Sequence, residues 1–191
     1  MRPLAILASL ALSLVFAASA LADTATCSSF GCSSVATSTT ARPAGTLTYT
    51  PNTAFGGSYG VLTGVCRRPG GEFTIPQLDI YSSRNPSTKL QGVLWLFSDP
   101  PGTPIADNEA FVLTAADFAK VTGNPQGFSF WLTSTQDTGA TNSGISLYGT
   151  YWHGRCAAAS TSVSYAIQAN NAYDALGAET LAVTLHALST N

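Results

Sequence analysis

Chemistry in this chain is most easily imagined in the segment YGTYWHGRC, which runs from Tyr148 to Cys156. Aromatic faces beside a guanidinium suit a sugar or an anion, because the rings offer flat apolar contact and the guanidinium a fixed set of donors. Tyr148, Trp152, His153 and Arg155 are therefore candidate ligand-binding residues. The alternative is structural: Trp152 packs inward and the other groups end a strand beside a cysteine.

A second candidate segment, LFSDPPGTPIADNEAF, carries Asp99, Asp107 and Glu109 in a chain of which 9% is charged. Calcium takes clustered oxygen ligands, and Asp107 and Glu109 are weak candidates for it, although the spacing of an EF-hand loop is missing. Asp, Asn, Pro and Gly are also ordinary turn residues. A bound calcium stays possible; we expect no other metal or cofactor.

Signals for catalysis are sparse. No serine lies in a GxSxG elbow, and the two histidines are His153 and His186. His186 falls on the solvent side of the last predicted strand, where a surface histidine is the ordinary interpretation. Glycoside hydrolysis needs two carboxylates facing each other across a cleft, and sequence spacing does not establish such a pair. We expect no catalytic residues and no enzyme activity.

The first 22 residues have the features of a secretory signal peptide. Arg2 precedes an apolar run from Leu4 to Ala18, and Ala20-Leu21-Ala22 provides a small-residue cleavage site. The alternative is a membrane anchor, but the apolar run is shorter than the ~20 residues of a spanning helix. We expect cleavage after Ala22, no membrane association afterwards, and a secreted, cell-surface or periplasmic protein.

Four cysteines follow the expected cleavage site: Cys27, Cys32, Cys66 and Cys156. An even count in an oxidising compartment favours disulfides, and four cysteines allow three connectivities. Spacing favours Cys27–Cys32 as a local loop and Cys66–Cys156 as a long-range link. A zinc site is the alternative, although it lacks a CxxC pair.

The charge balance excludes one class of partner. The formal net charge is −2, and no basic run exists that could neutralise a phosphate backbone. We therefore expect no nucleic acid among its partners.

The remaining chain reads as a flexible Ser/Thr-rich leader, residues 23–45, followed by one domain, residues 46–191. Short strands alternate with Gly, Pro, Asn and Asp clusters in that domain. This pattern predicts an all-β protein, an antiparallel jelly-roll-like β-sandwich with one short helix. The predicted strands are Thr46–Thr50, Tyr59–Val65, Glu72–Tyr81, Gly92–Phe97, Phe111–Leu113, Phe128–Thr133, Ile145–Trp152, Val163–Ala169 and Leu181–Leu188.

Four local patterns make sharper predictions. The alternation in LAVTLHAL predicts a half-buried antiparallel strand, and the continuous apolar run VLWLF predicts a central strand covered on both faces. Pro76 predicts a sheet edge or a bulge, because proline donates no ladder hydrogen bond. Thr114 should cap the helix, with Asp117 at the capping-box position.

The stretch LWLFSDPPGTPIADNEAFVLTAADFAKVTG resembles a family of small β-proteins of tailed-phage virions and prophage regions. The shared features are an apolar strand, a turn at Asp99–Thr103, a D-N-x-A-F segment at 107–111 and a helix ending at Gly123. The resemblance is strongest over Val93–Gly123 and extends to the C-terminal strands. It implies a non-enzymatic structural or decoration-type protein that associates with itself or with a protein partner.

The signal peptide and the cysteines differ from that family pattern, since virion proteins assemble in the reducing cytoplasm. They favour an exported relative, with the virion as the alternative location. The alternative function is a carbohydrate-binding module that uses Tyr148, Trp152, His153 and Arg155 to hold a glycan.

Overall fold

A computed structural model describes residues 26–28, 31–42, 47–134, 142–175 and 178–189, without the side chains of 26–28, 31, 32, 47, 149 and 150. The expected signal peptide, residues 1–22, lies outside these ranges. In the described ranges, no helix has the length and apolarity needed to cross a membrane.

Strands make up most of the described chain, and the helix is a single short turn. The helix α1 spans Ala115–Phe118. The strands are β1 Thr26–Ser28, β2 Gly31–Ala41, β3 Leu47–Tyr49, β4 Thr53–Leu62, β5 Glu72–Ser82, β6 Gln91–Phe97, β7 Phe128–Trp131, β8 Thr133–Ser134, β9 Ser143–Arg155, β10 Val163–Ala169, β11 Tyr173–Ala175 and β12 Thr180–Ser189.

The strand order is that of a jelly roll. One sheet runs β1-β2-β12-β5-β9-β8, a second runs β4-β10-β6-β7, and β3 pairs with β11 in a small third sheet. Four nested antiparallel pairs, β2 with β12, β4 with β10, β5 with β9 and β6 with β7, alternate between the two large sheets. This winding of one long hairpin into two packed sheets confirms the predicted antiparallel β-sandwich.

The core lies between the inner faces of the two large sheets. Every second residue of β12 points into it, so Leu181, Val183 and Leu185 are fully buried, as the alternation predicted. Burying such a side chain contributes roughly 1.5–3 kcal/mol. The largest fully buried side chains are Tyr49, Tyr165, Tyr173, Phe55, Phe73, Phe97, Phe128, Leu62, Ile75, Leu78, Ile80 and Leu90.

The flexible leader expected at residues 23–45 is wrong over much of its length. Residues Gly31–Ala41 form β2, which pairs with β12 from Cys32 to Ala41. The inward side chains of β2 are small: Ala36 is buried, and Thr40 donates to the Tyr165 hydroxyl at 2.8 Å. Threonine and valine favour the extended backbone, so β2 forms without the apolar alternation that usually marks a strand.

The strand predicted at Phe111–Leu113 is absent from the structure. The Phe111 amide donates to the Asn52 carbonyl at 2.8 Å, and its ring stacks on Trp95 with centroids 6.1 Å apart. The apolar run at this point therefore serves to pack a loop onto a sheet. The strand predicted at Tyr59–Val65 begins earlier, since β4 starts at Thr53.

Residues 98–127, hereafter the cover segment, lie over the outer side of β6. Leu94 and Leu96 of β6 point into the core, whereas Trp95 points outward and meets Phe111 and Phe118 of the cover segment. Strand β6 lies between β10 and β7. The prediction of a central strand covered on both faces is confirmed.

Asp117 connects the turn at Gly102 and Thr103 to the start of α1. Its carboxylate accepts hydrogen bonds from Gly102 N at 2.7 Å, from the Thr103 hydroxyl, and from Thr114 Oγ1 at 2.7 Å. The Thr114 side chain accepts from Asp117 N, which completes the predicted capping box. Hydrogen bonds from Thr103 and Thr114 hold the pKa of Asp117 well below its usual range.

Pro76 marks a bulge inside the sheet. Strand β5 lies between β12 and β9; on the β9 side the register moves from Ile75 opposite Trp152 to Gln77 opposite Tyr148. The bulge leaves Pro76 outside the ladder, so its missing N–H costs no hydrogen bond. Of the two predicted alternatives, the bulge is the one that the structure adopts.

One disulfide links Cys66 to Cys156, with the Cα atoms 6.3 Å apart and 90 residues of sequence between them. It joins the loop after β4 to the end of β9. The backbone pairs Cys27 opposite Cys32 in the β1–β2 ladder, but their side chains, and hence the predicted second disulfide, lie outside the described part.

Removing the long-range disulfide should lower stability considerably. For the double variant Cys66→Ser/Cys156→Ser we expect the free energy of unfolding to fall by about 4 kcal/mol, because a 90-residue loop regains its freedom when the chain unfolds. Urea denaturation without reductant measures the loss. The matched control Cys27→Ser/Cys32→Ser should lose clearly less, and equal losses would contradict this account.

Candidate functional site

The structure separates the four predicted binding residues. Trp152 points inward, half-buried, and meets Phe128 edge-on with centroids 4.3 Å apart. It therefore belongs to the rim of the core, as in the structural alternative. Tyr148 is 69% exposed on the outer face of the sheet, where the bulge at Pro76 sets it apart from His153.

His153 and Arg155 do come together, at a surface pocket of about 390 Å³ that Glu72 and Thr122 also line. His153 Nδ1 lies 3.0 Å from Thr74 Oγ1. Arg155 Nε donates to the Gly70 carbonyl at 3.2 Å. Both side chains therefore have protein partners, and the pocket lacks the aromatic wall that Trp152 was expected to supply.

The two calcium candidates point to different surroundings. Asp107 Oδ1 accepts from the Tyr49 hydroxyl at 2.5 Å and from Gly56 N at 2.8 Å, while Arg42 Nε lies 4.0 Å from Oδ2. Glu109 is exposed to solvent. A cation bound to Asp107 would be repelled by the buried Arg42 guanidinium. The described side chains contain no group of three or more potential metal ligands.

The Tyr49 side chain that bonds Asp107 is fully buried. Burial raises its pKa, and the hydrogen bond to Asp107 raises it further. Asp107 thus serves as an anchor that holds the cover segment against β3 and β4.

A polar cluster that the sequence did not predict lies on the outer face of the six-stranded sheet. Asp79 on β5 is nearly buried. The Nε2 atom of His186 on β12 lies 2.9 Å from Asp79 Oδ2. The Nε2 atom of Gln77 donates to both carboxylate oxygens of Asp79 at 3.0 Å. Ser146 on β9 lies opposite Asp79 in the ladder, so residues of three neighbouring strands meet at one carboxylate.

The balance of forces on Asp79 favours its charged form. Burial raises the pKa of this carboxyl, but hydrogen bonds from Gln77 and His186, with the attraction of the imidazole, outweigh it and lower the pKa. The cluster differs from a Ser-His-Asp triad, in which the serine bonds the imidazole. Here His186 bonds the carboxylate, whereas the hydrogen-bond partner of Ser146 is the Tyr81 hydroxyl.

Rows of side chains cross this outer face, which we call the open face. The ladder register places Val35, His186, Gln77 and Tyr148 side by side in one row. A neighbouring row consists of Thr37, Thr184, Asp79 and Ser146. Its exposed large side chains include Val35, Tyr81, Tyr148 and Leu188.

Tyr81 on the open face lies flat across the neighbouring strand. Its cross-strand partner is Gly144, and a Cβ atom at position 144 would overlap the Tyr81 ring. The tyrosine hydroxyl lies 3.4 Å from Ser146 Oγ. One face of the ring therefore covers the backbone of β9, and the side chain is 43% exposed.

Sequence periodicity could have placed Gln77, Asp79 and Tyr81 on one side of β5 only if the bulge position had been known. The same alternation put His186 on the outer side of β12, which the structure confirms. Their meeting depends on the register between strands about a hundred residues apart, and no local signal carries that register.

A scan against protein-family models finds no match for this chain, and searches of curated proteins and of solved structures find none either.

Neutralising Asp79 should lower the free energy of unfolding by an amount that depends on pH. We expect Asp79→Asn to cost about 1–2 kcal/mol at pH 7, because an amide replaces a charged acceptor of several hydrogen bonds. The pKa of Asp79 in the folded protein lies below its ordinary value, so this stabilisation is present above the ordinary value and is lost as the pH falls through the folded pKa.

Chemical denaturation at pH 7 and below pH 4 measures this difference between wild type and variant. The difference should shrink at the lower pH, and Glu109→Gln, an exposed carboxylate, serves as the control. A difference that stays constant over this range would show that the charge of Asp79 does not stabilise the fold.

Proposed function

We propose that this chain is an exported, non-catalytic surface-interaction protein of structural type, which engages a partner surface or a second copy through its open face. One observation carries the proposal: the two large sheets differ in how their outer faces are treated. The chain covers the centre of one with its own residues, whereas no described residue forms such a layer over the other.

The covered face belongs to the four-stranded sheet, where Phe111 and Phe118 of the cover segment meet Trp95. The open face has no such layer among the described residues, and Tyr148 and Tyr81 are exposed there. Tyrosine is enriched in binding interfaces, because its ring provides apolar area and its hydroxyl a hydrogen bond. Val35 and Leu188 are also exposed on this face, and a group of exposed apolar side chains favours an interaction surface.

The carboxylate at the centre of the open face is already paired. Asp79 receives hydrogen bonds from Gln77 and His186, so a partner that covers the face does not strand an unpaired carboxylate. Burying an unpaired charge would be costly, whereas burying a hydrogen-bonded one costs much less. This internal pairing lowers the desolvation cost of covering the open face with a partner.

Two further features support the structural and exported parts of the proposal. Jelly rolls serve as viral capsid domains and as lectins, and the resemblance to phage virion proteins falls on β6 and the cover segment. The Cys66–Cys156 disulfide is typical of proteins outside the reducing cytoplasm, in line with the expected signal peptide. An exported, virion-like structural protein agrees with both.

A pair of matched variants tests the proposal. Tyr148→Glu introduces a charge on the open face, and Trp131→Glu introduces one at an exposed aromatic of β7, outside it; the two side chains are 69% and 61% exposed. We expect Tyr148→Glu to weaken association roughly tenfold or more, as for loss of a central interface tyrosine, and Trp131→Glu to leave it unchanged.

Association is measured as self-association by sedimentation velocity and as retention of the labelled mature protein on envelope or particle fractions of its source. Far-ultraviolet circular dichroism checks that both variants are folded. Loss of association in Trp131→Glu with no loss in Tyr148→Glu would contradict the assignment of the open face.

A further inference from the structure

We infer that the open face binds a neutral saccharide chain, with Tyr81 as a stacking platform and Gln77, Asp79 and His186 as hydrogen-bonding groups. This inference rests on the proposed role of the open face as the binding surface and specifies its partner. It moves the predicted glycan site from the end of β9 to the middle of the six-stranded sheet.

Tyr81 lies flat on the solvent side of the sheet. Among the described residues, four aromatic rings lie over cross-strand glycines, and three of them are buried: Phe73 over Gly154, Tyr165 over Gly60 and Phe130 over Gly92. The fourth, Tyr81 over Gly144, is on the solvent side. Covering a glycine with an aromatic ring stabilises paired strands, and on the open face it also yields a ring that lies flat and faces water.

A ring that lies flat against a sheet is what the apolar side of a sugar needs. The face of an aromatic ring is electron-rich, so it attracts the slightly positive C–H groups on one side of a pyranose. The hydrogen bond geometry between Tyr81 and Ser146, 3.4 Å between oxygens, favours this flat orientation. A sugar stacked on Tyr81 places its hydroxyl groups toward the neighbouring polar rows.

The polar groups beside Tyr81 are held in place before any ligand arrives. Gln77 Nε2 donates to Asp79, so the Oε1 atom of Gln77 can accept a hydrogen bond from a ligand. His186 Nε2 hydrogen-bonds the same carboxylate, and the described residues supply no partner for His186 Nδ1. Fixed side chains lose little entropy on binding, so each hydrogen bond to a ligand counts more.

The open face is long enough for more than one sugar. Tyr148 lies one strand from Gln77, and Gln77 lies four residues from Tyr81 along β5. At about 3.3 Å per residue and nearly 5 Å per strand, the two tyrosines are roughly 14 Å apart. A single sugar does not bridge that distance, so the arrangement suits a chain of several linked sugars that contacts both rings.

The chemistry of the face selects among saccharides. Threonine and serine hydroxyls surround Asp79, namely Thr37, Thr184 and Ser146. The carboxylate repels anionic chains, and the one imidazole beside it is already committed to it. A neutral, hydroxyl-rich chain therefore fits better than an acidic polysaccharide or a nucleic acid.

Affinity electrophoresis of the mature protein through gels that contain β-glucan, xylan, mannan or α-glucan tests the inference. We expect retardation by at least one of these, and a tenfold or greater loss of affinity in Tyr81→Ala and Tyr148→Ala. Tyr81→Phe, which keeps the ring, should retain most of the binding. Trp131→Ala, an exposed aromatic off the open face, should bind as wild type does.

Gly144→Ala adds a test of geometry, since its methyl group would lift the Tyr81 ring without changing it. The variant should bind more weakly than wild type, and thermal unfolding checks that it is folded; if it does not fold, the Tyr81 pair of variants decides. His153→Ala probes the pocket at the end of β9 and should leave binding unchanged.

The outcomes separate the two proposals. Absence of retardation on every polysaccharide, or loss of binding in His153→Ala or Trp131→Ala alone, would overturn the saccharide assignment. If the protein also self-associates through Tyr148, the open face remains the interaction surface with a protein occupant. If Tyr148→Glu changes nothing in any association assay, the proposed function itself fails.

Discussion

The structure depends on pairing strands from opposite ends of the chain. Strand β12 pairs with β2 on one side and β5 on the other, so the six-stranded sheet cannot close until β12 has been made. Pairing of this kind carries a large loop-closure entropy and makes folding slow. The Cys66–Cys156 disulfide reduces that entropy in the unfolded chain by fixing one long loop, and every feature of the open face depends on the register that results.

One side of the sandwich is sealed by buried charges. Arg42 at the end of β2 donates to the Tyr49 hydroxyl at 3.2 Å and to the Ala175 carbonyl at 3.5 Å, and its Nε lies 4.0 Å from Asp107. Glu179 accepts from Tyr173 at 2.6 Å, and burial, then this carboxylate, raises the pKa of Tyr173. Since removing one partner of a buried charge network strands the others, this group fixes how β2, β3, β11 and the cover segment meet.

The sequence predicted the features that short-range patterns determine. Alternation placed Leu181, Val183 and Leu185 inside, an unbroken apolar run identified β6 as central, and Thr114 with Asp117 marked the helix start. It failed where the deciding partner is distant. Strand β2 looked like a leader because its inward positions are small, and they are small because large rings such as Tyr165 fill the space opposite. Trp152 looked like a ligand contact because nothing local shows that Phe128 covers it.

The central claim is that the open face, and not the covered one, meets the partner. Hydroxyl-radical footprinting of the protein in its native location and of the purified mature protein tests it directly, because tyrosine and tryptophan oxidation reports exposure at each side chain. The account predicts protection of Tyr81 and Tyr148 in the native location, with Trp131 and Phe118 oxidised equally in both samples. Protection of Trp131 and Phe118, with Tyr81 and Tyr148 unchanged, would contradict it.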